Sequence, residues 1–381
     1  MDPIAIVGLA QTPYERRKKD LTFYDMIYDV TCRAIDDAGY TLADIGNVIT
    51  VSNDFWDGRT ISSMAIQDAA GAHDKNVSTV EGDGTFGALY GAMRVWGGFD
   101  TTLVVVHSKG SEGNPNVITN GMFDPIYHRS LGLDAVSSAA IQANAYMHAT
   151  GVTQQQCAMV SVKNHGNAKN NPYAQLPMDI TVKDVMASPM VANPLKRLDC
   201  SPVSDGAAAI IIANKTAAKK AKTKPVWVKG AAYCSEAYFL GDRDLAKPIA
   251  LQDAAKRAYA MAGLSNPRKK LDVVELYDAF SYMELLWMEG LGLCEPGQGG
   301  KMIESGATQL GGDLPVNPSG GVLSAHAVMV AGMARIIEVV LQLRGQAGAR
   351  QVKNAKTGLA HGINGPCGQS HCVWVLSGEG E

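Results

Sequence analysis

No apolar run in this 381-residue sequence approaches the ~20 residues that crossing a bilayer requires. Charge is not lopsided either. The 34 Lys and Arg against 37 Asp and Glu leave a net −3, which argues against nucleic acid or an anionic lipid surface as partner. The one basic run, Lys215 to Lys224, alternates with alanine and threonine and reads as a solvated helix or connector. A disulfide framework and a zinc spacing are missing too. The seven cysteines are odd in number, and Cys367 and Cys372 stand at a separation that fits no common metal motif, so no metal site is expected. The opening MDPIAIVGLAQTPYERR enters a strand pattern at once, without a charged-then-apolar leader. With reduced thiols, this predicts a cytoplasmic protein. Low complexity is absent: the 40 glycines are dispersed, as tight turns and close packing demand.

What is present is enough chain for about two units of ~150–200 residues. Ile4 to Leu9 reads as a buried strand, Leu21 to Gly39 as a helix stopped by glycine, Val77 to Val80 as a strand, Gly84 to Gly98 as a helix and Thr102 to Val106 as a buried strand. The pattern then restarts. Pro225 to Lys229 is a strand, Ala250 to Ala262 a helix, Leu271 to Leu276 a strand, Ala325 to Leu343 a long apolar helix and Cys372 to Leu376 a closing strand. Alternation of this kind predicts an α/β fold with helix-covered sheets, built twice over. The halves are expected at 1–222 and 223–381. A covering insertion over about 108–190, rich in Asn, Tyr and His, interrupts the first.

Several segments, in order and over nearly the whole chain, resemble the thiolase superfamily in its archaeal and sterol-carrier-protein-type branch. Asp199 to Ala209 (DCSPVSDGAAA) is similar to the thiolase DGAAA segment. Asn164-His165 with Asn171 to Ala174 is similar to the stretch upstream of it. Leu276 to Phe280 (LYDAF) stands where members carry Asn-Glu-Ala-Phe or His-Asp-Ala-Phe. Asn317 to His326 (NPSGGVLSAH) resembles the paired-glycine motif that ends in Gly-His-Pro, and Gly358 to His361 completes the set. The resemblance implies a five-layered αβαβα sandwich, a homodimer core and a coenzyme A thioester substrate. It also implies a separately encoded zinc-finger and OB-fold partner. No permanently bound cofactor is expected. A bulky or aromatic acyl group, benzoylsuccinyl-CoA for instance, is the expected kind of substrate.

The same likeness singles out residues. His326 follows the turn Gly320-Gly321, and a helix N-terminus there would favour a neutral imidazole. By resemblance it is the general base on CoA or on the substrate α-carbon; an ordinary helix-start histidine is the plainer reading. His361 would bind the thioester oxyanion or move a proton, or be a satisfied loop histidine. For His371, at a strand start, the structural reading is favoured. Tyr277 replaces the usual Asn or His; its phenol can donate to a carbonyl or enolate oxygen, or simply fill the core. Ser324, Asn317 and Gly84 are assigned to the CoA-binding surroundings.

One family feature is missing. Val80, Glu81 and Gly87 fix the register of the nucleophile segment, and Gly84 then falls where members carry cysteine. An S-acyl enzyme at that position is excluded in this register. Three accounts follow: direct attack of CoA thiolate with His326 as base, Cys367 as a substitute nucleophile or acid/base, or retro-aldol cleavage of a 3-hydroxyacyl-CoA, which needs no nucleophile. The retained His326 favours Claisen chemistry and the missing cysteine the aldol route, and the balance falls to the first. A non-catalytic scaffold is the further alternative.

Overall fold

The computed structural model describes residues 2–380. Its strands are β1 (Ile4–Gln11), β2 (Asn47–Val51), β3 (Asn76–Val80), β4 (Thr101–Lys109), a small hairpin of β5 (Met190–Ala192) with β6 (Leu195–Lys196), β7 (Asp205–Asn214), β8 (Val226–Ser235), β9 (Val273–Glu275), β10 (Thr357–Asn364) and β11 (Ser370–Ser377). Apart from the hairpin they form one sheet in the order β3-β2-β4-β7-β1-β8-β11-β10-β9.

That order contains the same unit twice. In the first, β1 pairs antiparallel with β7, β7 antiparallel with β4, and β4 and β2 continue in parallel to β3. In the second, β8 pairs antiparallel with β11, β11 antiparallel with β10, and β10 runs parallel to β9, beyond which Val274 bridges in parallel to Val316. The units meet where Ala5 and Ile6 of β1 pair with Trp227 and Val226 of β8.

Alternation along the strands assigns the layers. Ile4 and Ile6 of β1, Ile210 and Ile212 of β7, and Trp374 and Leu376 of β11 face a central core. Two helices fill it, Gly84–Trp96 with Ala88 and Ala92, and Ala331–Arg344 with Met333, Ile336 and Ile337. The odd residues Ala5, Val7 and Ile211 face the helix Phe23–Ala38. On the far side, Leu359, Val373 and Val375 pack on the helix Ile249–Ala262. Helix, sheet, helix pair, sheet, helix make five layers. Each outer helix ends on a left-handed glycine, Gly39 and Gly263, the residue that tolerates φ > 0 without strain.

The segment 110–204 leaves the sheet between the neighbouring strands β4 and β7, which still pair at Lys109 and Asp205. Its helices Ala135–Thr150 and Gln154–Ala168 lie in the same core as Ser281–Gly290. Among the described residues no helix is long and apolar enough to cross a membrane.

One expected element is different. Ala325 to Leu343 is not a continuous helix. A short turn of helix, Gly321–Ser324, ends at extended Ala325 with φ −164°, and the long helix begins only at Ala331. Backbone pairing accounts for the break. Ser204 N–H donates to the His326 carbonyl at 2.9 Å, and Gly84 N–H to the Met329 carbonyl at 2.7 Å, which draws 326–329 out of a helical path. His326 therefore does not sit at the mouth of the long helix, and no helix dipole explains its neutrality.

Candidate active site

The break places His326 between two hydroxyl groups. Its Nε2 lies 2.7 Å from Tyr277 Oη and its Nδ1 2.8 Å from Ser201 Oγ. Its backbone N–H donates to Ser204 Oγ at 2.9 Å. Tyr277 comes from the loop after β9. Ser201 is brought alongside by strand-like pairing of the two loops: Cys200 bridges Phe280, and Ser201 N–H donates to the Ala279 carbonyl at 2.9 Å. His326 and Ser201 are mostly covered but not sealed, whereas Tyr277 is buried. What exposure the cluster has is on the His326–Ser201 side.

Burial first, and then the Arg335 guanidinium, lower the His326 pKa to about 4. Burial and the nearby Asp83 charge push the Tyr277 phenol well above its ordinary value of 10. At neutral pH the pair is therefore a neutral imidazole against a neutral phenol, one a proton acceptor and the other a donor.

Buried ion pairs hold the loops that carry this pair. Asp278, next to Tyr277, accepts from Val322 N–H and from Asn164 Nδ2, both at 2.6 Å. Glu284 accepts from Asn164 Nδ2 at 2.8 Å and pairs with Lys163 at 2.6 Å, and Glu275 pairs with Arg335. Charges this deep are costly unless paired and hydrogen-bonded, and breaking one pair leaves its partner stranded.

Asn317 belongs to this frame. Its Oδ1 accepts from Leu276 N–H at 2.8 Å and its Nδ2 donates to Glu284 at 3.0 Å, so neither end is free for a ligand. Ser324 is also inward: its hydroxyl donates to the Gly321 carbonyl at 3.1 Å, and its own carbonyl accepts from Gln175 and Leu176 of the covering segment.

Gly84 begins its helix beside the pair, but as a closed position. A Cβ there would stand 2.6 Å from Met333 Cβ. The first four amides of the helix are all engaged: Gly84 with Met329, Thr85 with the Asp83 carboxylate, and Phe86 and Gly87 with the Asp83 carbonyl. Asp83 also accepts from Gly332 N–H at 2.8 Å, and burial raises its carboxyl to about 6. No free pair of amides is left at this helix start among the described residues, and the Thr85 hydroxyl there donates to the Asp83 carboxylate at 2.5 Å.

His361 and Cys367 are placed differently from His326. Both ring nitrogens of His361 are taken inside the protein, Nδ1 near Tyr277 N–H at 3.4 Å and Nε2 near His371 Nδ1 at 2.9 Å. Cys367 adopts φ +54° and packs with Phe123 and Leu240. Burial pushes its thiol up to about 11, so at neutral pH it is almost wholly protonated and a weak nucleophile. Of the expected residues, the structure joins His326 and Tyr277 side chain to side chain and His361 to the Tyr277 backbone. Ser201 is not singled out by the sequence, and His371, read there as structural, is buried against His361. Ser201 was visible only as part of the DCSPVSDGAAA segment.

The Thiolase C-terminal domain-like family matches residues 231–378. The acetyl-CoA acetyltransferase of Methanothermobacter thermautotrophicus is 39% identical over 97% of this chain and 98% of its own. The chain belongs to the thiolase family. It is an acyltransferase of the branch that includes sterol-carrier-protein-type thiolases, with thiolase-type activity on acyl-CoA. The benzoylsuccinyl-CoA thiolase subunit of Thauera aromatica is 36% identical over 60% of each chain. Among solved structures, the Ltp2-ChsH2(DUF35) aldolase superposes with a TM-score of 0.85 at 24% identity, over 98% of this chain and 97% of that one, a likeness of fold.

Proposed function

We propose that the chain cleaves and forms the C2–C3 bond of 3-oxoacyl-CoA by Claisen chemistry without an acyl-cysteine. The observation that carries this reading is the 2.7 Å contact between His326 Nε2 and Tyr277 Oη beside a closed Gly84. In the cleavage direction His326 Nε2 takes the CoA thiol proton. The thiolate attacks the C3 carbonyl, the C2–C3 bond breaks, and its electron pair is held as a thioester enolate. Once protonated, His326 Nε2 no longer accepts from Tyr277, whose Oη–H turns to donate to the developing oxyanion. The proton on His326 returns to C2. Ser201 holds Nδ1, and so the ring, through the cycle. Holding both CoA groups together supplies much of the rate that a covalent intermediate otherwise would.

Residues 1–222 and 223–381 act as one unit in this reading, since Ser201 comes from the first and Tyr277 and His326 from the second. A homodimer core and a small zinc-finger and OB-fold partner complete the proposed assembly. The Thauera relative being named a subunit supports a partner, and its substrate supports a bulky or aromatic acyl group. Retro-aldol cleavage of a 3-hydroxyacyl-CoA is the second reading, favoured by the phenol at 277.

The test follows acyl-CoA turnover by the chain, alone and with such a partner, with and without free CoA, and takes an intact mass after quenching. CoA-dependent cleavage with no adduct supports direct attack. An acyl adduct on Cys367, or cleavage of the hydroxyacyl substrate without CoA, overturns it.

A further inference from the structure

Tyr277 is held from behind by two histidines. Its amide N–H lies 3.4 Å from His361 Nδ1. A backbone amide can only donate, so Nδ1 is the acceptor, and the neutral ring carries its proton on Nε2. That proton meets His371 Nδ1, 2.9 Å away. His371 Nδ1 is therefore an acceptor in turn, and its own proton sits on Nε2. One backbone donor thus assigns both tautomers and leaves His371 Nε2–H a buried donor without a protein partner among the described residues.

The two rings stack at 5.2 Å and 16°. Trp287 stands edge-on to both, 6.1 Å from His361 and 4.7 Å from His371, and donates its indole N–H to the Tyr277 carbonyl at 2.9 Å. One aromatic cluster therefore grips Tyr277 at both its N–H and its C=O. Both histidines are fully buried. His371 is wedged against Gly368, where a Cβ would come within 2.7 Å of its Nε2. Beside it lies a cavity of about 10 Å³ bounded by Gln142, Glu236, Arg243 and Lys247, room for about one water.

We propose that His371 is a positioning residue for the reaction. By accepting the His361 Nε2 proton it locks His361 in the tautomer that can hold the Tyr277 amide, and so keeps the Tyr277 hydroxyl in reach of His326. The proposal rests on the Tyr277–His326 reading above, but its first readout does not involve turnover.

Proton–nitrogen NMR of the full chain with labelled histidine reports the tautomers directly. Both His361 and His371 are expected as neutral Nε2–H rings; an Nδ1–H tautomer or a charged ring at either overturns the proposal. The second readout is kinetic. His371→Asn retains an acceptor near the Nδ1 position, whereas His371→Leu removes it. His371→Leu is expected to lower kcat about tenfold or more with KM within about twofold, and His371→Asn to restore most of the loss. An equal loss in both, or full activity in a folded His371→Leu protein, overturns it. If His371→Leu does not fold, the tautomers and His371→Asn still decide. A fully active Tyr277→Phe would sink the underlying reading while leaving the tautomers as expected, so the two failures are distinguishable.

Discussion

At the scale of single residues, the site depends on two hydroxyl groups flanking one imidazole. Tyr277→Phe removes the hydroxyl that the proposed mechanism turns to the oxyanion and is expected to lower kcat about 10²-fold with little change in KM, by steady-state kinetics. Ser201→Ala leaves His326 Nδ1 without its partner and should cost less, about tenfold. The lowered His326 pKa also sets a pH limit. The base form persists down to about pH 4, so the acid limb of kcat/KM should lie near there rather than near the ordinary histidine value of about 6.5. An acid limb near 6.5 would show that the base titrates as an ordinary imidazole, against the buried setting described for His326. His326 and Tyr277 were legible because each stands inside a motif. Ser201 was not, because a serine before a proline in a loop reads as a turn former, and its partner lies 125 residues away. His371 gave no local signal either: its partner lies across the strand pairing of β10 with β11.

At the scale of elements, the proposed chemistry turns on the start of the Gly84 helix. Asp83 caps that helix through Thr85 N–H and ties it to the Ala331 helix through Gly332 N–H. Asp83→Ala would strand both donors and is expected to destabilise by about 2 kcal/mol, read from urea unfolding. Restoring the family's thiol should not restore its chemistry. In Gly84→Cys the new Cβ meets Met333, so a loss of about 1–3 kcal/mol and no acyl adduct are expected. Thermal unfolding and intact mass after substrate check both; an adduct would show that the position can open. Period and glycine stops made most helices legible, including the ends at Gly39 and Gly263. Ala325 to Leu343 misled because its composition is uniformly apolar, and apolar periodicity does not report the tertiary hydrogen bonds to Ser204 and Gly84 that interrupt it.

At the scale of the whole molecule, the repeated strand order was legible as a restarting pattern. The join was not: β1 and β8 make a single sheet by pairing Ala5 with Trp227 and Ile6 with Val226, a pairing no local pattern encodes. One end of the sheet is an open edge at β3, paired only with β2 among the described residues. Free edges invite a further strand. With the homodimer proposed above, light scattering of the purified chain should give twice the mass of one chain, about 40.4 kDa each; a monomer at micromolar concentration would refute that assembly.

The closed Gly84 has a consequence for chemical hardiness. Enzymes that work through a thiolate stop when peroxide converts it to sulfenic or sulfinic acid. Here the cysteine near the Gly84 helix start, Cys372, is buried, and burial raises its pKa far above the range where a thiolate forms. The exposed cysteine, Cys32, lies on the outer Phe23–Ala38 helix. On the cysteine-free mechanism proposed above, turnover should continue through an oxidative episode that silences a cysteine-dependent relative.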